Sequence, residues 1–203
     1  MITTNEREVT AMGAYKTMTL TNEECASIIT RCKNGFEWDN IQYKSNNRIA
    51  TILTLMANTG LRIGDILQLK LSSVIKDGDR YRFNIVEQKT GKERNFTVHD
   101  SIYNYMLNYA VDNKISRDAR LFSLSERAVQ KHLKAVCSSL GLINVSTHSF
   151  RKYFATTIYN NNNYNIAIVK ELLQHSSIAT TQRYIGIRQK DVETALNNHV
   201  NLF

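Results

Sequence analysis

No proline interrupts this chain of 203 residues, so its breakpoints must be read from glycine, asparagine and polar clusters. Cysteine is scarce: Cys25, Cys32 and Cys137 form no close pair and leave one over. That pattern indicates neither a disulfide framework nor a cysteine-based metal site, and it fits a reduced, cytosolic setting. Long apolar runs are also missing. None approaches the roughly 18 residues a membrane-spanning helix needs. Residues 1–18 are polar and mixed in charge, without the apolar stretch of a secretory signal. No internal repeat is found, and the asparagine run 160–163 reads as a loop.

What is there is ordinary in bulk and uneven in charge. Hydrophobic residues make up 42% and charged residues 22%, as in soluble globular proteins. The length is ample for one core and marginal for two. Residues 1–60 hold six Lys/Arg and six Asp/Glu, so the whole net charge of +8 lies beyond them. A basic excess concentrated in one part of a chain points to a polyanionic partner, DNA or RNA first.

Local patterns place the elements. Thr21-Asn22-Glu23-Glu24 before Ala26, Ile28 and Ile29 is a capped helix start, and the stretch from Asn34 to Asp39 breaks that helix. Ile49, Ile52, Leu53, Leu55 and Met56 recur at helical spacing and predict a buried helix over 45–58, stopped by Gly60. A short second helix follows, with Ile63, Ile66, Leu67 and Leu69 on its apolar side. Arg80–Glu87 and Arg94–Val98 alternate and are rich in β-formers, and the polar link QKTGKE between them makes a hairpin with a basic tip. Helices are then expected over about 100–112, 125–140, 147–160, 164–174 and 188–199. The fold class is mainly α with a small antiparallel β-sheet, with a tail over 1–18 and one domain over 19–203.

Phosphodiester transfer needs cationic hydrogen-bond donors for the transition state, a nucleophile, and a proton donor for the leaving oxygen. Arginine suits the first task because its planar fork grips phosphate oxygens in pairs and stays charged. Arg62 follows the Gly60-Leu61 break at the start of a helix, whose N-terminus adds partial positive charge. His148 and Arg151 stand three apart on one helix face. Each residue also has a plain reading. Arg62 could be a surface cation, His148 and Arg151 a solvated pair, and His175 a loop histidine. Lys89 and Lys92 could be solubilising charges, and Tyr184 is one of ten tyrosines.

Together they match a pattern. TGLRIGDILQLKLSSV resembles the first signature of the tyrosine recombinases, the phage integrase family, in which the arginine after Thr-Gly-Leu is catalytic, here Arg62. THSFRKYFAT resembles the second, mapping onto His148 and Arg151. KELLQHSSIATTQRYIGI resembles the third, which supplies a histidine, here His175, and nine residues later the nucleophilic tyrosine, here Tyr184. QKTGK places Lys89 where the family carries its general acid on a hairpin loop, with Lys92 the neighbouring alternative. The resemblance runs from about Thr19 to Val200. Three positions depart from it: Phe150 replaces the usual Leu, Lys152 a common second His, and Gln174 a frequent Gly.

The resemblance implies a site-specific recombinase that cleaves and rejoins DNA through a 3′-phosphotyrosyl link. Arg62 and Arg151 would clamp the phosphate, His175 would donate to it, His148 would act as base and Lys89 as acid. It implies no metal, no ATP and no other cofactor, and a bacterial or phage-encoded protein working in the cytoplasm. Its partners would be double-stranded DNA and further copies in a synaptic tetramer, with room for accessory DNA-bending proteins. A helix over Arg188–Val200 would pack on its own core or dock on a neighbouring protomer. Either a catalytic fragment or a naturally short member is expected, since the family usually adds an N-terminal core-binding domain. The rival readings are a type IB topoisomerase and a non-catalytic DNA-binding regulator. The His-Ser-Ser spacing favours recombination over the first, and retention of all six groups disfavours the second.

Overall fold

Thr21 opens the first helix by the mechanism its sequence announces. Its hydroxyl accepts from the Glu24 N–H, while the Glu24 carboxylate accepts from the Thr21 N–H at 2.7 Å. The helix it caps, α1 (Asn22–Asn34), ends at Gly35. This computed structural model describes residues 17–185, 193 and 196–199.

After α1 come β1 (Phe36–Trp38) and β2 (Ile41–Tyr43), an antiparallel hairpin in the stretch expected only to break a helix. Its two-residue turn puts Asp39 and Asn40 at φ 53° and 56°, the left-handed pair that a tight hairpin of matching twist requires. Phe36 stacks on Tyr43 with ring centres 4.5 Å apart and is buried, which ties the hairpin to the core.

The central element is α2 (Asn47–Thr59), with nine of its thirteen residues buried. It packs against α1, against α3 (Ile63–Gln68), against α4 (Asp100–Asp112) and against α6 (Thr147–Asn161). Such all-round burial matches its dense apolar pattern. Gly60 ends it at φ 63°, where a side chain on an L-residue would be strained.

The expected hairpin is part of a larger sheet. A turn of 3-10 helix at Leu71–Ser73 leads into β3 (Val74–Asp77), β4 (Arg80–Val86) and β5 (Glu93–Val98), antiparallel and in that order. Phe83 pairs with Phe96 across β4 and β5, and Phe83 is fully buried. α5 (Glu126–Ser139), α6 and α7 (Ile166–Leu173) fall close to their expected bounds, whereas a short α8, Ile178–Gln182, was not foreseen. The expected helix over 188–199 lies, apart from residues 193 and 196–199, outside the described residues.

The architecture is therefore mainly α with two small antiparallel sheets. One large cluster of buried side chains runs from Leu20 to Phe150. A smaller one, Ala155, Val169 and Leu173, gathers Phe154, Ile158, Tyr159 and Tyr184 around it. The cysteines are free and buried, and burial pushes the Cys32 and Cys137 thiols up to about 12. Among the described residues no helix is long and apolar enough to cross a membrane.

Candidate active site

The site forms where three chain ends meet: the turn after α2, the β4–β5 loop and the C-terminus of α7. Arg62 is the residue just before α3, placed by the left-handed turn at Gly60. With only six residues, α3 has a small dipole, so the positive charge here comes chiefly from the guanidinium. Arg62 Nη1 donates to Glu87 Oε2 at 2.6 Å, and the side chain stays 21% exposed.

Arg151 enters from the first turns of α6 and is only 1% exposed. Its Nη1 donates to the Gly60 carbonyl and its Nη2 to the Leu173 carbonyl at 2.9 Å, while Nε has no partner among the described residues. Burial, then repulsion from Arg62 and Arg94, lowers its pKa to about 10, which leaves it charged at neutral pH. His148, one turn earlier on α6, is exposed and lines a small cavity with Arg62, Arg151, Met56, Ile63 and Thr147. Partial burial and the charges of Arg151, Lys89 and Arg62 hold its pKa below the ordinary value.

α7 leaves four carbonyls without intrahelical partners, and all four are used. The N–H groups of His175 and Gln174 close on Lys170 and Glu171 in a Schellman turn. The carbonyls of Leu172 and Leu173 accept from two buried arginines, Arg94 at 2.5 Å and Arg151 at 2.9 Å. The turn requires a left-handed residue, and Gln174 fills it at φ 51° where the family often has glycine. Its amide compensates by donating to the Glu93 carbonyl at 3.3 Å, fastening the turn to β5.

His175 leaves this turn buried, its Nδ1 hydrogen-bonded to the Thr181 hydroxyl at 3.1 Å. Burial, then Arg151, Arg62 and Arg94, pushes its pKa down to about 4, so it is neutral in the free protein. α8 returns the chain so that the Tyr184 ring lies 4.7 Å from the His175 ring and 5.8 Å from the Arg151 guanidinium carbon. Lys89 is exposed on the β4–β5 loop, and its charge is among those acting on His148.

The fold thus brings Arg62, His148, Arg151, His175 and Tyr184 together, with Lys89 on the adjoining loop. Reading the sequence missed four supporting residues. Glu87 was taken as the last strand residue; it leaves β4 buried, with partners in Arg62, Arg94 and Thr90. Arg94 was read only as the first residue of the second strand and is 1% exposed. Asp65 accepts from the Gln88 N–H at 2.8 Å, and Thr181 orients His175. A carboxylate closing the strand two residues before Lys89 was the one available hint.

A helical domain that gathers buried cations around a tyrosine is a class with known members. The chain belongs to the phage integrase family, whose model matches residues 18–191. It is similar to a tyrosine recombinase of Agathobacter rectalis, 30% identical over 79% of this chain and 55% of that one. A probable integrase/recombinase of Bacillus subtilis, YoeC, is 29% identical over 74% of this chain and 83% of its own length. The chain spans about half the length of the curated relatives it matches, YoeC excepted. Among solved structures, the catalytic domain of bacteriophage HP1 integrase has a TM-score of 0.58 at 21% identity, covering 90% of this chain and 95% of that one. XerH recombinase bound to its difH substrate has a TM-score of 0.64 at 20% identity, covering 90% of this chain and 55% of that one.

Proposed function

We propose that this chain is the catalytic part of a site-specific recombinase that cuts and rejoins double-stranded DNA through Tyr184. The observation that carries the reading is the placement of the Tyr184 ring against both His175 and the buried Arg151 guanidinium. In this mechanism the phosphate enters beside Arg62 and Arg151, which neutralise the charge that grows on its oxygens. The Tyr184 oxygen attacks phosphorus, and the bond to the 5′-oxygen breaks. His148, whose pKa is held below the ordinary value by partial burial and then by its cationic neighbours, accepts the phenol proton, and Lys89 delivers one to the departing oxygen. Religation runs the same steps backwards onto a different 5′-hydroxyl, so the bond energy is conserved.

His175 fits this scheme with one refinement. Its Nδ1 is engaged with Thr181, so donation to phosphate falls to Nε2. An arriving phosphate offsets the arginine charges, which together with burial hold the ring's pKa down, and so favours the proton on His175 relative to the free protein.

Double-stranded DNA and further copies of the chain in a synaptic tetramer are the partners of this reading, with work in the cytoplasm. The solved XerH and lambda integrase complexes, both on DNA, support it by analogy of fold. The test is covalent capture: nicked duplexes of randomised sequence are incubated with the protein in excess EDTA and resolved under denaturing conditions. The expected result is an adduct from the wild-type chain and none from Tyr184→Phe, with DNA retention nearly unchanged. Adducts surviving in the Phe variant would remove Tyr184 from the role, and relaxation without partner exchange would favour the topoisomerase reading.

A further inference from the structure

Glu87 is hydrogen-bonded to two arginines of the site, Arg62 and Arg94, and its side chain is almost wholly buried, at 2% exposure. Burial of a carboxylate is costly unless every lone pair finds a donor. Here both oxygens are occupied. Oε2 accepts from Arg62 Nη1 at 2.6 Å and from the Thr90 hydroxyl at 2.9 Å, and Oε1 accepts from Arg94 Nη1 at 3.4 Å. Burial alone would raise its pKa; the hydrogen bonds from Arg62 and Thr90 and the charges of Arg62 and Arg94 bring it below the usual value. It is a fixed anion at neutral pH.

Each of its three partners leads to a different group. Arg62 is held through Nη1, and its side chain stays 21% exposed. Thr90 follows Lys89 in an exposed loop that is also tied by backbone hydrogen bonds from Gly91 to Glu87 and from Glu87 to Lys92, and by the Gln88 N–H donating to Asp65. Arg94 runs on to the Leu172 carbonyl, three residues before His175. Arg62, Arg94 and Arg151 repel one another, as the lowered pKa of Arg151 records. Two buried carboxylates offset that repulsion, Asp65 through its charge on Arg94 and Glu87 through direct hydrogen bonds that also fix distances.

We propose that Glu87 is the positioning residue of the site: it registers the β4–β5 loop carrying Lys89 against Arg62 and the His175 turn, with Thr90 as the limb to Lys89. The inference rests on the recombinase reading, since the groups it aligns are those assigned to cleavage. Glu87 touches no reacting atom and acts through its partners.

The limbs separate by leaving-group chemistry. A duplex with sulfur in place of the bridging 5′-oxygen expels a thiolate, which needs no proton from Lys89. Single-turnover cleavage is measured on captured duplexes in oxygen and sulfur forms, with Lys89→Ala, Thr90→Val and Glu87→Gln. Thr90→Val is expected to slow the oxygen substrate about tenfold or more, within the range of acid–base contributions, and to recover to within about twofold on sulfur, as Lys89→Ala does. Glu87→Gln is expected to be slow on both, because the Arg62 limb acts on the phosphate and not on the leaving atom. Thr90→Val cleaving at the wild-type rate, or slowed equally on both substrates, would overturn the proposal. So would full sulfur rescue of Glu87→Gln. A wild-type chain that forms no adduct at all fails the recombinase reading itself, which distinguishes the two failures.

Discussion

His175 gives a direct measure of the field inside the site. Its pKa is about 4 in the folded chain against an ordinary 6.5, through burial first and then Arg151, Arg62 and Arg94. A depressed pKa means that the unfolded chain takes up the proton first as pH falls. Stability therefore rises with pH between about 4 and 6.5, and acidification through that window removes it. Between about pH 7.5 and about pH 5 the linkage relation gives a loss of about 2 kcal/mol from this residue alone. That is a large part of the stability of a typical domain. His132 and His148 shift in the same direction, so the wild-type slope contains all three histidines and a subtraction is needed. His175→Gln provides it: the amide keeps a hydrogen bond to Thr181 within reach and cannot titrate. Urea unfolding at the two pH values, with the slope m checked for constancy, yields the four free energies. Wild type should lose about 2 kcal/mol more than the variant on acidification. Equal losses would refute the argument and mean that the arginines do not press on His175.

The turns that build the site invite two further substitutions. Gly60→Ala places a methyl at φ 63° and 2.4 Å from the Phe154 ring, beside the carbonyl that holds Arg151. Thermal unfolding should register a loss of roughly 1–2 kcal/mol from the left-handed penalty, and an unchanged midpoint would contradict it. Gln174→Gly removes strain at φ 51° but also the hydrogen bond to Glu93. A net gain of about 0.5–1 kcal/mol is expected; a loss would show that the tether to β5 outweighs the strain.

Much of this protein could be read along the chain because its signals are local. The capping box at Thr21, the dense apolar run of α2 and the stop at Gly60 each act over a few residues, and all are realised. The β1–β2 hairpin was missed although its Asp39-Asn40 turn is a local signal, because strands of three residues carry too little alternation to register. The extension of the hairpin to three strands depends on β3, whose four residues are exposed beyond Val74.

The six candidate residues were legible as short motifs, and family membership follows from the sequence alone. Their convergence was not, since no motif states how far Arg62 lies from Arg151 or that a tyrosine nine residues past His175 folds back onto its ring. Only the tertiary structure decided which charges are buried and what compensates them. Arg94 and Glu87 look like surface residues in the sequence, and they become the buried pair between the β4–β5 loop and the end of α7. The physical reason is that a side chain's partners are set by packing across distant segments. Residue 87 meets 62, and 94 meets 172, only once the sheet and α7 have been brought together in the folded chain.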